Sequence, residues 1–351
     1  MRHWLAVAGR ALAAFLCAAV VWELLARSLV ISGLPSRFVS GLGHIHTAGT
    51  SLLTSEGFGL STYDANGYRN GLPNPRRKEL ILALGDSYTE GAQVSDAQTY
   101  CQQANSLLKE SGIDAYIVNA GGAGESPANY VGVAPWYLSH LHPDQVVVQI
   151  DLNDFLKDLP NQTTEYYLDP ADNGFQLKMH ADNEGFVERL QHKPIVGKIG
   201  DVIQFLKNTS LIQLTYLRLG AAGGDARPEG ASEKPNRSMQ IERDYLPFVK
   251  WSVQSLKSAY KDPILIYLPV IDYFDLQQPP PKVEVELQEE CRLDGVTLID
   301  MRSAFVSYFL RTGECPNGFV NTSPGFGHYN SNGHRLIAEA LASAIKAKRA
   351  R

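Results

Sequence analysis

Four short segments carry residue types that could do chemistry together. Gly85-Asp86-Ser87-Tyr88-Thr89-Glu90-Gly91 follows the apolar run 80–84. A buried strand that ends in a glycine-flanked turn displays a serine at the C-terminal edge of a parallel sheet, where α/β folds keep their ligands. The plainer alternative is an ordinary strand-to-helix connection, with Asp86 or Ser87 capping the helix. Asp151-Leu152-Asn153-Asp154-Phe155 follows the run 145–150, so the Asn153 amide can face an oxyanion at the same edge, or merely cap the strand end. Asn119-Ala120-Gly121-Gly122-Ala123-Gly124 closes the run 115–119, and glycines there let a backbone N–H approach a substrate closely or form a tight turn. A serine nucleophile needs a base. Gly325-Phe326-Gly327-His328-Tyr329-Asn330 stands just before the last amphipathic segment, where His328 can reach back over the sheet. His334 opens that segment and reads as a capping or packing residue.

These groups must be positioned by alternating strands and helices. Strands are predicted at 80–84, 115–119, 145–150, 263–268 and 296–300, each short, apolar and bounded by turn residues. Helical patterns fall near 97–110, 127–141, 239–261, 282–293 and 332–347. Five such strands with intervening helices predict an α/β fold with a doubly wound parallel sheet. Residues 155–245 interrupt the alternation as an insertion expected to shape substrate choice. Within it, 202–219 reads as a packed helix or a substrate-lining lid, and 220–238 as a loop.

The chain has 351 residues, 44% of them hydrophobic and 20% charged, enough apolar material for a sizeable core. A net charge of −5 and the lack of a basic stripe argue against nucleic-acid binding. Residues 4–26 form an apolar segment whose uncharged core is 11–22, with Arg2 and Arg10 ahead of that core. Some 22 helical residues span roughly 33 Å, so a transmembrane signal-anchor helix is expected, with the rest of the chain extracytoplasmic, periplasmic or at the cell surface. A cleaved signal peptide and a buried soluble helix are the alternatives. Residues 27–77 read as linker and lead-in, and 78–348 as the catalytic domain. Of four cysteines, Cys17 lies in the anchor, Cys101 is a further thiol, and Cys291 and Cys315 could bridge in an oxidising compartment or stand as free buried thiols. No C-x-x-C or H-E-x-x-H pattern occurs, so neither a metal nor a cofactor is expected. His44, His46, His140 and His142 read as surface or structural residues. N-x-S/T sites stand at Asn161, Asn208, Asn236 and Asn321.

With these four motifs in order, the chain resembles the SGNH/GDSL hydrolases over about residues 62–348. The lead-in Tyr63-Asp64-Ala65-Asn66-Gly67-Tyr68-Arg69 and the run Glu90-Gly91-Ala92-Gln93-Val94 resemble an exported or membrane-attached bacterial subgroup. The resemblance implies a flavodoxin-like three-layer α/β/α sandwich and ester-bond hydrolysis. It implies Ser87 as nucleophile, His328 as base, and an oxyanion hole made by the Ser87 N–H, the Gly124 N–H and the Asn153 side chain. Two positions depart from the family pattern. Asp151 replaces the glycine that opens the third block. Gly325 and Phe326 occupy the places, three and two residues before the histidine, where the family carries its acid. A Ser-His dyad with a backbone carbonyl on Nδ1, or a distant acid such as Asp300, is then expected.

Three functions follow for an acylated small-molecule or carbohydrate substrate. The first is a serine esterase acting on acylated cell-envelope carbohydrate. The second is an O-acyltransferase that hands the acyl group to a glycan. The third is an inactive glycan-binding or scaffolding protein, which the missing acid and Asp151 would mark.

Overall fold

The computed structural model describes residues 2–29, 36–53, 56–72, 79–157, 165–171, 174–179 and 246–350. The readings placed on 180–245, including the segments 202–219 and 220–238, lie outside the described residues, as do Asn161, Asn208 and Asn236.

The five apolar runs form one parallel sheet: β5 (Glu79–Leu84), β6 (Ala115–Asn119), β7 (Gln145–Asp151), β10 (Ile264–Leu268) and β11 (Thr297–Asp300). Their spatial order is β11-β10-β7-β5-β6. The first strand of the five therefore sits between the second and the third, the order of flavodoxin-like sheets. The strands are rich in apolar residues because both faces of the sheet are covered. Leu82, Val148, Ile150 and Leu265 pack with Tyr130 of α4 (Pro127–Gly132), Val253 of α7 (Leu246–Ala259) and Leu287 of α8 (Lys282–Asp294). Ile81, Ala83, Val147 and Ile266 face the other way. They meet Leu108 of α3 (Tyr100–Glu110), Phe305 of α9 (Arg302–Thr312) and Leu341 of α10 (Ser331–Arg349). Alternate side chains of one strand thus feed two cores, as the two-residue repeat requires. The result is a three-layer α/β/α sandwich.

Residues 27–77 hold more structure than a linker. Strand β1 (Ser36–Val39) pairs antiparallel with β2 (Gly43–His46), and β3 (Gly49–Leu53) with β4 (Gly59–Tyr63). Arg69 then makes antiparallel bridges to Tyr63 and to Asn119 at the end of β6. The buried Arg69 guanidinium ties this lead-in down, with Nε donating to Asp96 at 3.0 Å and a further N–H to the Val94 carbonyl at 2.6 Å. A short pair, β8 (Tyr166–Ala171) with β9 (Gly174–Met179), follows β7 and packs on α4.

One expectation is corrected, and one open alternative is decided. Helix α1 forms over Arg2–Leu29, but among the described residues no helix is long and apolar enough to cross a membrane. Arg10 interrupts the apolar segment, and the uncharged stretch 11–22 falls short of the ~20 residues a bilayer core needs. Cys291 and Cys315 are free thiols. Cys291 belongs to the core on one face of the sheet and Cys315 packs against the core on the other, so the sheet separates them.

Candidate active site

Strand β5 ends at Leu84, and Ser87 opens the short helix α2 (Ser87–Glu90). Because β6 and β7 flank β5 on opposite sides, Ser87 stands where the strand order reverses, the usual ligand crevice of such sheets. Asp86 caps α2 by accepting the Tyr88 N–H at 2.9 Å. The Gln149 side-chain oxygen on β7 accepts the Asp86 N–H at 3.1 Å and the Thr89 hydroxyl at 3.0 Å. The capping role read for Asp86 and the displayed serine therefore coexist.

His328 reaches Ser87 from the opposite end of the chain. Its Nε2 lies 2.9 Å from Ser87 Oγ. The loop before α10 is held to itself by Gly318 N–H to His328 O at 2.8 Å, and by Asn330 Nδ2 to the carbonyls of Cys315 and Gly318. Asn330 also caps α10 through the N–H groups of Asn332 and Gly333. The Tyr88 ring stands 5.1 Å from the imidazole.

A carboxylate does orient the base, and it is Glu56. Glu56 Oε2 accepts from His328 Nδ1 at 2.6 Å, while Oε1 accepts the His328 backbone N–H at 2.8 Å. Ser87, His328 and Glu56 thus form a continuous hydrogen-bonded chain, which corrects the dyad expectation. Asp300 serves elsewhere, accepting from Gln288 Nε2 at 2.6 Å and from the Arg302 N–H at 2.8 Å. Burial alone would raise the Glu56 carboxyl. Its hydrogen bonds to His328 and the attraction of that ring outweigh burial and hold it below its ordinary value of 4.5. Both side chains are about four-fifths covered, 20% and 19% exposed, so their interaction is only partly screened by water.

Glu56 sits in the turn between β3 and β4, 272 residues from its partner. Gly327 permits the approach. It has a φ of +80, and a Cβ there would stand 2.3 Å from Glu56 Oε1. Sequence reasoning missed Glu56 because the family's acid was sought beside the histidine. The only local signal is a carboxylate next to Gly57 in a turn flanked by alternating strands.

The expected oxyanion donors lie at neighbouring strand ends. Gly121 N–H goes to Asn119 Oδ1 at 3.0 Å, and Gly122 N–H to Gly85 O at 3.0 Å. Among the described residues, the N–H groups of Gly124 and Ser87 have no such acceptor. Asn153 is exposed in the turn after β7. Asp151, standing where the family has glycine, shapes that turn. Its Oδ1 accepts the N–H of Asn153 at 2.6 Å and of Asp154 at 3.1 Å, and Asp154 Oδ2 accepts the Asp151 N–H at 2.9 Å.

His334 is buried and its Nδ1 accepts the Tyr100 N–H at 3.2 Å. Burial, with the nearby Arg69 and His328 charges, lowers it to about 3, so the ring is neutral packing material. His46 pairs with the buried Glu90 at 2.8 Å, and Tyr63 donates to the same carboxylate at 2.6 Å. Among the described residues, Asp86, Asp151 and Asp154 form a carboxylate group with oxygens within 4.8 Å of one another. The capping bonds above account for oxygens on each of them.

No family model matches the chain. An arylesterase of Vibrio mimicus is 29% identical over 82 residues, which is 23% of this chain and 41% of that protein. The match thus spans less than half the length of that relative. Among solved structures, a psychrotrophic esterase, EstA, from Pseudoalteromonas sp. aligns with TM-score 0.39 and 11% identity, over 78% of this chain and 100% of that one. An acetyl xylan esterase, AlAXEase, aligns with TM-score 0.41 and 14% identity, over 76% of this chain and 99% of that one. TesA aligns with TM-score 0.39 and 11% identity, over 76% and 98%.

Proposed function

We propose that the chain is a serine esterase with a Ser87–His328–Glu56 triad. Ser87 Oγ attacks the acyl carbonyl while His328 Nε2 takes its proton. The N–H groups of Ser87 and Gly124 and the Asn153 amide hold the oxyanion. The imidazolium returns the proton to the departing alcohol. Water then attacks the acyl-enzyme, again giving its proton to His328, and the acid leaves with Ser87 restored. Glu56 keeps the proton of the neutral ring on Nδ1, which leaves Nε2 open as the base.

The observation that carries this reading is the unbroken chain from Ser87 Oγ through both ring nitrogens to Glu56, at 2.9 and 2.6 Å. The inactive-binder reading drew on a missing acid and on Asp151; Glu56 supplies a carboxylate to His328, and Asp151 Oδ1 is engaged by the turn after β7. The arylesterase likeness supports ester chemistry over other uses of a serine. The test uses the purified chain with p-nitrophenyl acetate and a fluorophosphonate probe. Both hydrolysis and labelling are expected, and both should vanish in Ser87→Ala. Label and turnover surviving in that variant would end the reading.

We further propose that the domain works outside the cytoplasm, on acylated carbohydrate of the cell envelope. Leu12, Phe15, Leu16, Val20 and Val21 of α1 are exposed and seek an apolar surface. A reporter fused after residue 350 should be active only in an extracytoplasmic form. Cytoplasmic reporter activity would refute the placement.

A further inference from the structure

The loop that carries His328 also grips the turn that carries Glu56. Asn321 Oδ1 accepts the Gly57 N–H at 2.9 Å, and Asn321 Nδ2 donates to the Gly57 carbonyl at 3.1 Å. The carboxamide thus pairs with both backbone groups of the residue next to Glu56, as a neighbouring strand would. Asn321 itself stands on a tight turn, with Thr322 N–H bonded to Phe319 O at 3.0 Å and Phe319 N–H to Thr322 Oγ1 at 3.3 Å. The Phe319 ring closes the other side. A Cβ on Gly57, whose φ is +69, would stand 2.8 Å from it and 2.3 Å from the Gln93 carbonyl.

The rest of the hairpin is held from elsewhere. On β4, Leu60 N–H reaches Ser95 Oγ at 3.5 Å and Thr62 N–H reaches Asp96 Oδ1 at 3.1 Å. Those bonds fix the strand but leave the turn at its N-terminal end to be fixed by Asn321, Phe319 and the Glu56 carboxylate itself. A carboxylate must hold a histidine within a few tenths of an ångström to control its tautomer, so its backbone has to be pinned as well as its oxygens.

We propose that Asn321 is a positioning residue for catalysis, one that docks the acid-bearing turn against the base and so keeps the His328 proton on Nδ1. The proposal rests on the triad reading above. It adds that the acid is delivered by a docked loop with its own dedicated clamp. Asn321 touches neither the serine nor the imidazole in the hydrogen bonds described above; the route they give from it to the ring runs through Gly57 and Glu56.

The experiment is a double-mutant cycle with p-nitrophenyl acetate on the full chain, using Asn321→Ala, Glu56→Gln and the pair, each with a pH profile and a melting curve. Asn321→Ala should lower kcat by about ten- to a hundredfold, the weight of two neutral hydrogen bonds, with KM little changed. Its acidic limb should move in the same direction as in Glu56→Gln, and by less. The pair should be no slower than Glu56→Gln alone, because the clamp has no use once the acid is gone. The isosteric Asn321→Asp keeps the acceptor for Gly57 N–H and loses the donor, so it should fall between wild type and Asn321→Ala at neutral pH. The proposal is overturned if Asn321→Ala stays within twofold of wild type while Glu56→Gln drops. Losses that multiply in the pair, or a slower Asn321→Ala with an unmoved limb, would also overturn it. Failure of the triad reading looks different, since Glu56→Gln would then be as active as wild type.

Discussion

Replacing Glu56 by glutamine removes one charge and one acceptor while keeping the shape. The carboxylate accepts twice, from His328 Nδ1 at 2.6 Å and from the His328 backbone N–H at 2.8 Å. Glutamine has a single oxygen. If that oxygen stays on the backbone N–H, the amide NH2 faces Nδ1, the ring proton moves to Nε2, and the base is blocked. If the amide flips, two donors confront each other at the backbone. The lost charge matters as well. An anion about 4 Å from an imidazolium is worth about 4 kcal/mol at an effective dielectric of about 20. The tautomer error in a serine protease costs about 10⁴ in turnover, which sets the upper bound. Glu56→Gln should therefore lose about 10²–10⁴ in kcat, or about 3–5 kcal/mol at 1.36 kcal/mol per tenfold. KM should hold, because Glu56 sits behind the histidine. The acidic limb of kcat/KM should move to lower pH, since an imidazolium beside an amide is less favoured than one beside a carboxylate. Steady-state kinetics on p-nitrophenyl acetate between pH 5 and 9, with a melt to confirm folding, reads all three. A variant that keeps more than a third of wild-type kcat/KM would refute the assignment of Glu56 as the orienting acid.

Three other outcomes follow from the same geometry. Gly327→Ala introduces a Cβ 2.3 Å from Glu56 Oε1 at a φ of +80, so it should cost about 1–2 kcal/mol in stability yet lower kcat by at least about tenfold; thermal melts and kinetics would separate the two. Glu56, held below its ordinary 4.5 in the folded chain, contributes stability that is complete above that value and is lost as pH falls through the lowered one; Glu56→Gln should flatten the acid end of the urea-midpoint profile, and an unchanged profile would contradict this. For His334, about 3 when folded against an ordinary 6.5, the unfolded chain binds the extra proton between those values, so stability falls as pH drops below 6.5. His334→Gln should lose part of that slope between pH 7.5 and 4.5 and keep kcat/KM within about threefold of wild type; a collapse of activity would overturn the packing role of His334.

The sheet was legible because its strands are buried on both faces. Runs such as 80–84 are apolar on both faces and end at turn residues, so their positions fall within a residue or two of the observed strands. The helix read over 127–141 breaks into α4 and α5 (Ala134–His140), because Pro135 is tolerated only in a first helical turn. Helix α9 was not read at all. It follows β11 after one residue, has Met301 rather than a capping residue at its N-cap, and buries only Phe305 and Tyr308, which gives little periodic signal. The site divides along the same line. Ser87 and the Gly124 loop are announced by glycine-rich strand ends, Asn153 by the end of an apolar run, and His328 by a glycine-flanked turn before the last helix. Glu56 is fixed by tertiary contacts alone, a loop meeting a loop, and no periodicity within its own segment points to residue 328.

Because the acid arrives before the first sheet strand and the base just before the last helix, the reactive centre joins the two extremities of the domain. A nascent chain carries Glu56 and Ser87 long before His328 is made, so hydrolytic competence is the last property acquired during synthesis. A proteolytic nick that frees the β3–β4 hairpin would leave the sheet and the serine in place while silencing turnover. Catalytic rate therefore reports closure of the whole polypeptide, where a spectroscopic measure of the sheet would report only its middle.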